Sequence, residues 1–316
     1  MSAPLLSLRG LDCTFHTPHG RLHAVRGVSL DVHAGETLGL VGESGCGKTT
    51  LAKSIVGLVT PRAGSIRLEG RELTNLPRAE RFRMRRDVQF VFQDPFSSLN
   101  PRRRLASLIG EPLEVHRIGT RAERRDRVAW LMEKVGLRPE WGGRYPHEFS
   151  GGQRQRIGIA RALALGPKLI VCDEPVSALD VSIQAQVINL LARLQQETGI
   201  AYLMISHDLA LVENFAHRIA VMYLGEIVEL GEAGTLWRTP LHPFTRAMID
   251  AVPVPDPASA RARRPLLQGD PPSPVSRPAG CAFAGRCPIA QARCRVEAPV
   301  LRDVGGRSVA CHFVLE

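Results

Sequence analysis

One glycine-rich segment restricts the possible folds of this chain more than any other feature of its sequence. Residues 42–49 read GESGCGKT and fit the pattern G-x-x-x-x-G-K-[ST]. The apolar run TLGLVG (37–42) precedes this segment, and the helix-like run TTLAKSIVGL (49–58) follows it. A buried strand, a glycine turn and a helix in this order predict a phosphate-binding loop, because the turn lets successive backbone N–H groups point at one anion.

We expect the side chains of this loop to bind a nucleotide together with its metal ion. Lys48 would contact the β- and γ-phosphates, and the Thr49 hydroxyl would be a ligand of Mg²⁺. An ordinary glycine turn is the alternative, and the flanking strand and helix argue against it. The other loop residues of the predicted nucleotide site are Gly42, Ser44, Gly45, Cys46, Gly47 and Thr50.

Two carboxylates end a second apolar strand, LIVCDE (169–174). In open α/β sheets, ligands bind at the carboxyl ends of the strands. Asp173 would therefore complete the Mg²⁺ shell, and Glu174 would be the general base for an attacking water. Acidic residues are common at strand ends, so the preceding phosphate loop is what favours this interpretation.

A third segment, FSGGQRQR (149–156), opens a helix-like run. Ser150, Gly151 and Gly152 would lie at the N-terminus of that helix, where free backbone N–H groups favour an anion. A serine before two glycines is also typical of a plain helix cap. The other two motifs favour the anion site.

The order of the apolar segments predicts the fold class. KLIVCDEP (168–175) and AYLMISHD (201–208) are short apolar runs of the kind found in buried strands. The amphipathic helix VINLLARLQQETG (187–199) lies between them and should end at Gly199. Strand, helix and strand in succession predict a parallel sheet with crossover helices.

Composition limits the class of protein more than it selects a partner. The chain has 316 residues, 44% of them hydrophobic, which predicts about two globular domains and excludes disorder for most of the chain. No run approaches the ~18 apolar residues of a membrane span, and the start lacks a secretory signal pattern, so we expect a cytosolic protein. The net charge is +10, but aromatic residues are only 5%, and we expect no nucleic-acid binding.

Changes in composition divide the chain into three parts. We expect a nucleotide-binding domain over residues 1–251, with an arginine-rich helical subdomain inserted at about 97–160. Residues 252–280 are rich in proline and read as an extended linker. Residues 281–316 form a module with four cysteines.

The four cysteines of this module are spaced C-x5-C-x6-C-x16-C. This spacing matches neither a zinc ribbon nor a ferredoxin. A cytosolic chain keeps its thiols reduced, which disfavours a disulfide framework. The residues alone leave free thiols, a zinc ion and an iron–sulfur cluster open.

Together these motifs resemble the ATP-binding subunits of ABC transporters. The phosphate loop, SGGQ, the Asp-Glu pair, SALD (177–180) and ISH (205–207) stand in the order of that family. Four segments are similar in sequence to the dipeptide and oligopeptide importer ATPases: GESGCGKTT, QDPFSSLNPR, YPHEFSGGQRQR and DEPVSALDVSIQAQV. The tail GCAFAGRCP…C…VACH (280–312) resembles the C-terminal extension of the same subgroup.

The resemblance implies a fold and an activity. The fold would be an α/β P-loop NTPase of the RecA-like ABC type, with an N-terminal antiparallel β subdomain, a helical insertion and a small cysteine-containing C-terminal extension. The activity would be ATP hydrolysis that powers peptide import. Related importer ATPases carry a [4Fe-4S] cluster on such a tail, so the resemblance favours a cluster on Cys281, Cys287, Cys294 and Cys311.

The resemblance also implies further site residues. Gln93 would sense the γ-phosphate and join the Mg²⁺ shell, and His207 would hydrogen-bond the γ-phosphate. Asp180 would lie on a loop across a dimer interface. Phe15 would stack on adenine, although a core position is the alternative. The residues that would contact ATP held by an opposing subunit are Ser150, Gly151, Gly152 and Gln153.

The implied partners follow from a single copy of each motif. A second ATPase subunit, identical or a paralogue, would complete an ATP-sandwich dimer. Two transmembrane permease subunits and an extracytoplasmic peptide-binding protein would complete the transporter at the cytoplasmic face of the inner membrane. The helical subdomain would dock on the permeases.

Other functions remain as alternatives at this stage. The cargo could be nickel or a glycopeptide, because a separate binding protein selects it. A soluble ABC protein of ribosomes or DNA repair is disfavoured, since the chain has neither two cassettes nor a long coiled-coil insertion. An iron–sulfur redox protein is disfavoured because the clustered cysteines occupy only the tail.

Overall fold

A computed structural model describes residues 3–18, 20–252, 269–270 and 272–314 of the chain. Most of the predicted proline-rich linker, at residues 253–268 and 271, lies outside the described residues. Residue contacts divide the chain into two compact units. The first unit comprises residues 1–5, 32–36 and 75–205, and the second comprises residues 6–31, 37–74 and 206–316.

The described strands and helices alternate along much of the chain. The strands are β1 (Leu6–Thr17), β2 (Gly20–Val32), β3 (Thr37–Val41), β4 (Ala63–Leu68), β5 (Arg71–Glu72), β6 (Val88–Val91), β7 (Leu169–Asp173), β8 (Ala201–Ser206), β9 (Arg218–Tyr223), β10 (Glu226–Glu232), β11 (Arg302–Val304) and β12 (Arg307–Val309). The α-helices are α1 (Lys48–Ile55), α2 (Arg78–Met84), α3 (Pro95–Ser98), α4 (Leu105–Val115), α5 (Arg121–Lys134), α6 (Gly151–Leu163), α7 (Val181–Thr198), α8 (Leu209–Glu213), α9 (Ala233–Arg238), α10 (Pro243–Asp250) and α11 (Ala292–Val296). Within the described parts of the chain, none of these helices has the length and apolar character needed to cross a membrane.

The first unit contains parallel strands joined by a crossover helix. β6 pairs with β7 and β7 pairs with β8, both in parallel. Every residue of β7 and β8 is buried, as expected for parallel strands covered on both faces. Helix α7 connects β7 to β8 and buries Val187, Leu190, Leu191 and Leu194, one stripe of the helix. The predicted strand–helix–strand order is therefore observed.

The ends of α7 show one agreement and one difference with the sequence prediction. Gly199 adopts a left-handed φ of 71° at the C-cap, as expected. The helix begins at Val181 rather than at residue 187. Its first six residues, VSIQAQ, are exposed or half-buried and alternate apolar with polar side chains, so the apolar stripe of a helix does not mark them.

Three further helices of the first unit, α4, α5 and α6, pack together between β6 and β7 in sequence. α4 buries Leu105, Leu108, Ile109 and Leu113, and α5 starts with a capping box between Thr120 and Glu123. Helices α4, α5 and α6 contact one another pairwise. The last of these helices, α6, ends at Leu163.

The second unit contains an antiparallel N-terminal sheet of order β2-β1-β4-β5. In the same unit β3 pairs in parallel with β9, and β9 pairs antiparallel with β10. β3 is buried throughout and leads directly into the glycine-rich loop and α1. The predicted strand–loop–helix arrangement is observed.

The C-terminal cysteine segment, described over residues 281–314, packs within this second unit. β12 pairs antiparallel with β10, so it extends the strand order β3-β9-β10. Phe283 is 1% exposed and packs edge-on against Tyr223 and Phe244, with ring centroids 5.4 and 5.5 Å apart. Both strand pairing and aromatic packing therefore hold the tail in place.

The burial pattern of α7 predicts unequal effects of two truncations. Leu191→Ala removes a side chain that is 0% exposed and should lower the free energy of unfolding by about 2–5 kcal/mol. Val181→Ala truncates a side chain that is 81% exposed and should change it by less than about 0.5 kcal/mol. Urea titration followed by circular dichroism measures both. Equal losses in the two variants would contradict the assigned face of α7.

Candidate functional site

The glycine-rich loop between β3 and α1 depends on glycine at two positions. Gly47 has a φ of 110° and caps α1. A Cβ atom at Gly47 would overlap the carbonyl oxygen of Ala24, and one at Gly42 would overlap that of Met222. Since both neighbours are backbone atoms, they cannot swing away, and only glycine allows this close packing.

Lys48 lies inside the loop rather than in solvent. Its Nζ donates hydrogen bonds of 2.8 Å to the carbonyl oxygens of both Gly42 and Glu43, and it lies 3.8 Å from the Sγ of Cys46. The backbone N–H of Gly225, in the β9–β10 turn, donates to the Cys46 carbonyl at 2.8 Å. The loop is therefore closed around its lysine and supported from outside by a hairpin.

The other predicted loop residues lie between β3 and α1 or in the first turn of α1. Ser44 and Gly45 are in the exposed turn, and Thr49 and Thr50 are in the first turn of α1. Cys46 is buried, and this burial raises the pKa of its thiol. A protonated, enclosed thiol fits a small packing side chain better than a reactive one.

In the first unit, the structure brings Gln93 and Glu174 together. The Nε2 of Gln93 donates to Oε2 of Glu174 at 2.9 Å. Glu174 has a left-handed φ of 46°, and its backbone N–H donates to Ile205 at 3.0 Å. Such strain in a non-glycine residue is typical of functional positions. The preceding carboxylate, Asp173, is the buried last residue of β7.

The position of Gln93 differs from the sequence prediction in one respect. The apolar run VQFVFQ predicts that Gln93 ends the strand, whereas β6 ends at Val91. Phe92 and Gln93 are both exposed beyond the strand. Leaving the strand gives the Gln93 amide the freedom to reach Glu174.

The SGGQ segment forms the N-terminus of α6 through a capping box. The Oγ of Ser150 accepts from the Gln153 backbone N–H at 3.4 Å, and the Gln153 side chain accepts from the Ser150 N–H at 3.0 Å. Gly152 is buried, and a Cβ there would overlap the side chain of Ile183. The capping interpretation is therefore correct for the side chains, and Gly151 stays exposed beside them.

Asp180 is a helix cap in this structure. Its carboxylate accepts from the Ile183 N–H at 3.0 Å and from the Ser182 hydroxyl at 2.8 Å. The Ile183 hydrogen bond is the main cause that lowers the pKa of Asp180. The exposed, ionised carboxylate therefore rigidifies the start of α7.

Phe15 and His207 lie in the second unit, as the phosphate loop does. Phe15 lies on β1 with 38% of its surface exposed, which contradicts the core alternative. His207 is exposed and follows β8 directly. Both side chains are accessible to a ligand.

The four tail cysteines line one small cavity. Cys281, Cys287, Cys294 and Cys311 face it together with His242, Phe283 and His312. Burial raises the pKa of Cys281 and Cys311, and raises that of Cys287 to about 11. Among the described residues, however, no group of three or more His, Cys, Asp or Glu side chains is arranged to hold a metal ion. The thiols converge without forming a ready single-ion site.

Two family models match this chain. The model described as "ABC transporter" matches residues 25–177, and that described as "Oligopeptide/dipeptide transporter, C-terminal region" matches residues 228–294. The putative oligopeptide transport ATP-binding protein YkfD of Bacillus subtilis is 51% identical over 98% of this chain and 95% of its own length. The chain belongs to the ABC transporter family.

A second relative and two solved structures agree with this assignment. The di/tripeptide transport ATP-binding protein DppF of Pseudomonas aeruginosa is 51% identical over 93% of this chain and 91% of its own. The dimeric ATP-binding cassette MJ0796 with ADP and phosphate is 29% identical, with a TM-score of 0.66 over 72% of this chain and 98% of that one. The structure of cbiO1 from Clostridium perfringens is 25% identical, with a TM-score of 0.67 over 75% of this chain and 92% of that one. The fold is that of the ABC ATPase cassette, and the chain is an ATPase of this family.

Some notable residues of this ABC ATPase have no motif to mark them. Glu43 of the phosphate loop pairs with Arg286 of the tail, and His242 joins the cysteine cavity from the start of α10. An arginine directly before Cys287 was the only available sequence signal. A pair of charges so distant in sequence leaves no local pattern.

The packing of the phosphate loop predicts different costs for two alanine substitutions. Gly45→Ala introduces a left-handed alanine into open space and should cost about 1–2 kcal/mol of unfolding free energy. Gly47→Ala adds the overlap with Ala24 and should cost about 1–3 kcal/mol more. Urea unfolding of both variants measures the difference. Equal destabilisation would show that the loop does not pack against Ala24.

Proposed function

We propose that this chain hydrolyses ATP to power the import of dipeptides or oligopeptides through a membrane ABC transporter. The observation that carries the proposal is a closed phosphate loop around Lys48 in a chain that also has the C-terminal region of peptide transporters. The relatives named for di/tripeptide and oligopeptide transport support peptide as the cargo. Nickel or glycopeptide cargo remains the alternative.

The phosphate-binding residues would hold the nucleotide. Backbone N–H groups of the loop and the Nζ of Lys48 would bind the phosphates. Thr49, Gln93 and Asp173 would hold Mg²⁺, which neutralises charge that develops on the phosphates. The exposed ring of Phe15 would stack on adenine.

Glu174 would be the general base of hydrolysis. Its carboxylate would take a proton from water as the water oxygen forms a bond to the γ-phosphorus and the β–γ phosphoanhydride breaks, which releases ADP and phosphate. The amide of Gln93 orients the carboxylate through their 2.9 Å hydrogen bond. His207 would hydrogen-bond the γ-phosphate.

A dimer of ATPase subunits would complete each nucleotide site. The chain has one phosphate loop and one SGGQ segment, so Ser150, Gly151, Gly152 and Gln153 would contact ATP held by the opposing subunit. Asp180 would lie at the same interface. The dimeric state of the matched MJ0796 cassette supports this arrangement. The opposing subunit is either identical or a paralogue.

The remaining partners would be those of an importer. We place the chain peripherally at the cytoplasmic face of the inner membrane, against two permease subunits that contact the helical subdomain at about 97–160. An extracytoplasmic binding protein would deliver the peptide. In this scheme residues 1–251 are the nucleotide-binding domain, 252–280 the linker and 281–316 the cysteine module.

The cysteine module would hold a [4Fe-4S] cluster. Four thiols line one cavity, which fits the Cys₄ donor set of such clusters. Burial raises the pKa of Cys281, Cys287 and Cys311, and the positive charge of a bound iron core would offset this by stabilising the thiolates. The cluster would have a structural or sensory role.

Replacing Glu174 by Gln should separate nucleotide binding from chemistry. Gln keeps the size and hydrogen-bonding reach of Glu but cannot accept the proton, so hydrolysis should slow by roughly 10²–10⁴-fold. The ATP-bound dimer should persist and elute as a dimer in size-exclusion chromatography with ATP and Mg²⁺. Hydrolysis at the normal rate would refute Glu174 as the base.

Lys48→Ala is the matched control for this experiment. It removes a charge-assisted contact to the phosphates worth about 1.5–3 kcal/mol, so nucleotide binding should weaken by roughly 10- to 150-fold, and hydrolysis and the ATP-bound dimer should be lost. Normal turnover in Lys48→Ala would refute the phosphate-loop assignment itself.

The cluster predicts coloured protein. Anaerobically purified chain should be brown, with a broad absorbance near about 400 nm and roughly four iron atoms per chain. Cys294→Ser should lose the colour, whereas Cys46→Ser, in the phosphate loop, should keep it. Colourless protein with one bound zinc would refute the cluster but keep a metal site. Colourless, metal-free protein with a folded tail would refute both.

A further inference from the structure

Arg286, in the cysteine segment, contacts the phosphate loop directly. Its Nη1 donates to Oε2 of Glu43 at 2.9 Å, and its Nη2 donates to Oε1 at 2.8 Å. This two-pronged pairing fixes both the distance and the orientation of the carboxylate. Arg286 lies between Cys281 and Cys287, so the segment that lines the cavity also holds the loop.

Glu43 connects Arg286 to Lys48 through its two polar ends. Its carboxylate accepts from Arg286, and its carbonyl oxygen accepts from Lys48 Nζ at 2.8 Å. A shift of the Glu43 side chain would therefore move one of the two carbonyls that hold Lys48. The position of the phosphate-binding amine depends on the guanidinium of the tail.

The surroundings of Arg286 make this pairing stronger than an ordinary surface ion pair. Its side chain is only 8% exposed, and its Nη1 also lies 3.3 Å from the hydroxyl of Tyr223. The hydrogen bond with Glu43 is the main cause that raises the pKa of Arg286. By contrast, Arg293 and Glu297 pair on the surface of the same segment, with side chains 56% and 53% exposed. The Glu43 side chain is 29% exposed, so the pair is partly desolvated, and removing one member should disturb the other more than in the solvated Arg293–Glu297 pair.

We propose that Arg286 is a positioning residue for the phosphate loop, and that the cysteine segment controls nucleotide affinity through its contact with Glu43. This inference rests on the proposed nucleotide-binding role of the loop. A folded segment holds Glu43 and presets Lys48 for the phosphates, and a loosened segment releases them. When the segment is loosened, nucleotide has to order the loop as it binds, and this ordering lowers the net free energy of binding.

The coupling has to act in both directions. If the folded cysteine segment favours nucleotide binding, bound nucleotide favours the folded segment by the same factor. Nucleotide should therefore slow amide hydrogen exchange in the part of the cysteine segment around Arg286. This readout does not depend on hydrolysis.

The test measures nucleotide affinity in the full-length chain with a fluorescent, non-hydrolysable ATP analogue and Mg²⁺. Arg286→Gln should weaken binding roughly 5- to 30-fold. Arg286→Lys keeps the charge but loses the paired geometry, so it should restore only part of the affinity. Arg293→Gln, the matched control in the same segment, should change affinity by less than about twofold.

A double-mutant cycle tests whether Arg286 acts through Glu43. Glu43→Gln should weaken binding to a similar extent, and Arg286→Gln should add little when introduced into the Glu43→Gln chain. In the unsubstituted chain and in Arg293→Gln, nucleotide should slow amide hydrogen exchange around Arg286 by at least about fivefold. In Glu43→Gln and Arg286→Gln this protection should disappear.

Three outcomes would overturn the inference. The first is unchanged affinity in either Arg286→Gln or Glu43→Gln while Lys48→Ala fails to bind, and this result leaves the proposed function intact. The second is a fully additive cycle, which assigns Arg286 only a general role in stability. The third is equal weakening in Arg293→Gln. Normal binding by Lys48→Ala would instead refute the proposed function itself.

Discussion

The nucleotide-binding loop depends on Lys48 being held inside it by two backbone carbonyls. A buried ammonium group is unfavourable unless its donors are satisfied, and the carbonyls of Gly42 and Glu43 meet this requirement at 2.8 Å. The loop can curl that tightly only because glycines at positions 42 and 47 leave room for the carbonyls of Met222 and Ala24. The close packing of the loop backbone against neighbouring backbone therefore determines the position of the Lys48 ammonium group.

The adjacent acidic residues Asp173 and Glu174, at the end of β7, lie in different environments. Asp173 is buried at the end of a strand that the hydrophobic core holds rigidly, whereas Glu174 leaves the strand with a left-handed φ of 46°. Adjacent residues therefore differ in environment, one enclosed and one free to accept a hydrogen bond from Gln93. In the proposed mechanism, this difference would let Asp173 act as a metal ligand and Glu174 as the base.

Periodic and local features were predictable from the sequence, and long-range pairs were not. The buried strands β3, β7 and β8 follow from short apolar runs, and Gly199 marks the end of α7. The start of α7 at Val181 was missed because the residues before Val187 are exposed or half-buried and alternate apolar with polar side chains. The spacing of the four cysteines did not predict that they line one cavity, and only the family resemblance brought them together. The contact of Arg286 with Glu43 was missed, since it depends on tertiary packing that no local pattern encodes.

The order of synthesis gives the Arg286–Glu43 contact a further consequence. Glu43 precedes Arg286 by 243 residues, so during translation the phosphate loop is synthesised long before the arginine that holds Glu43. β12, which extends the strands that support the loop, is also made late. Because domains begin to fold from the N-terminus as they are synthesised, a nascent chain would hold Lys48 loosely until the cysteine segment docks. Nucleotide-binding competence would thus report completion of the fold.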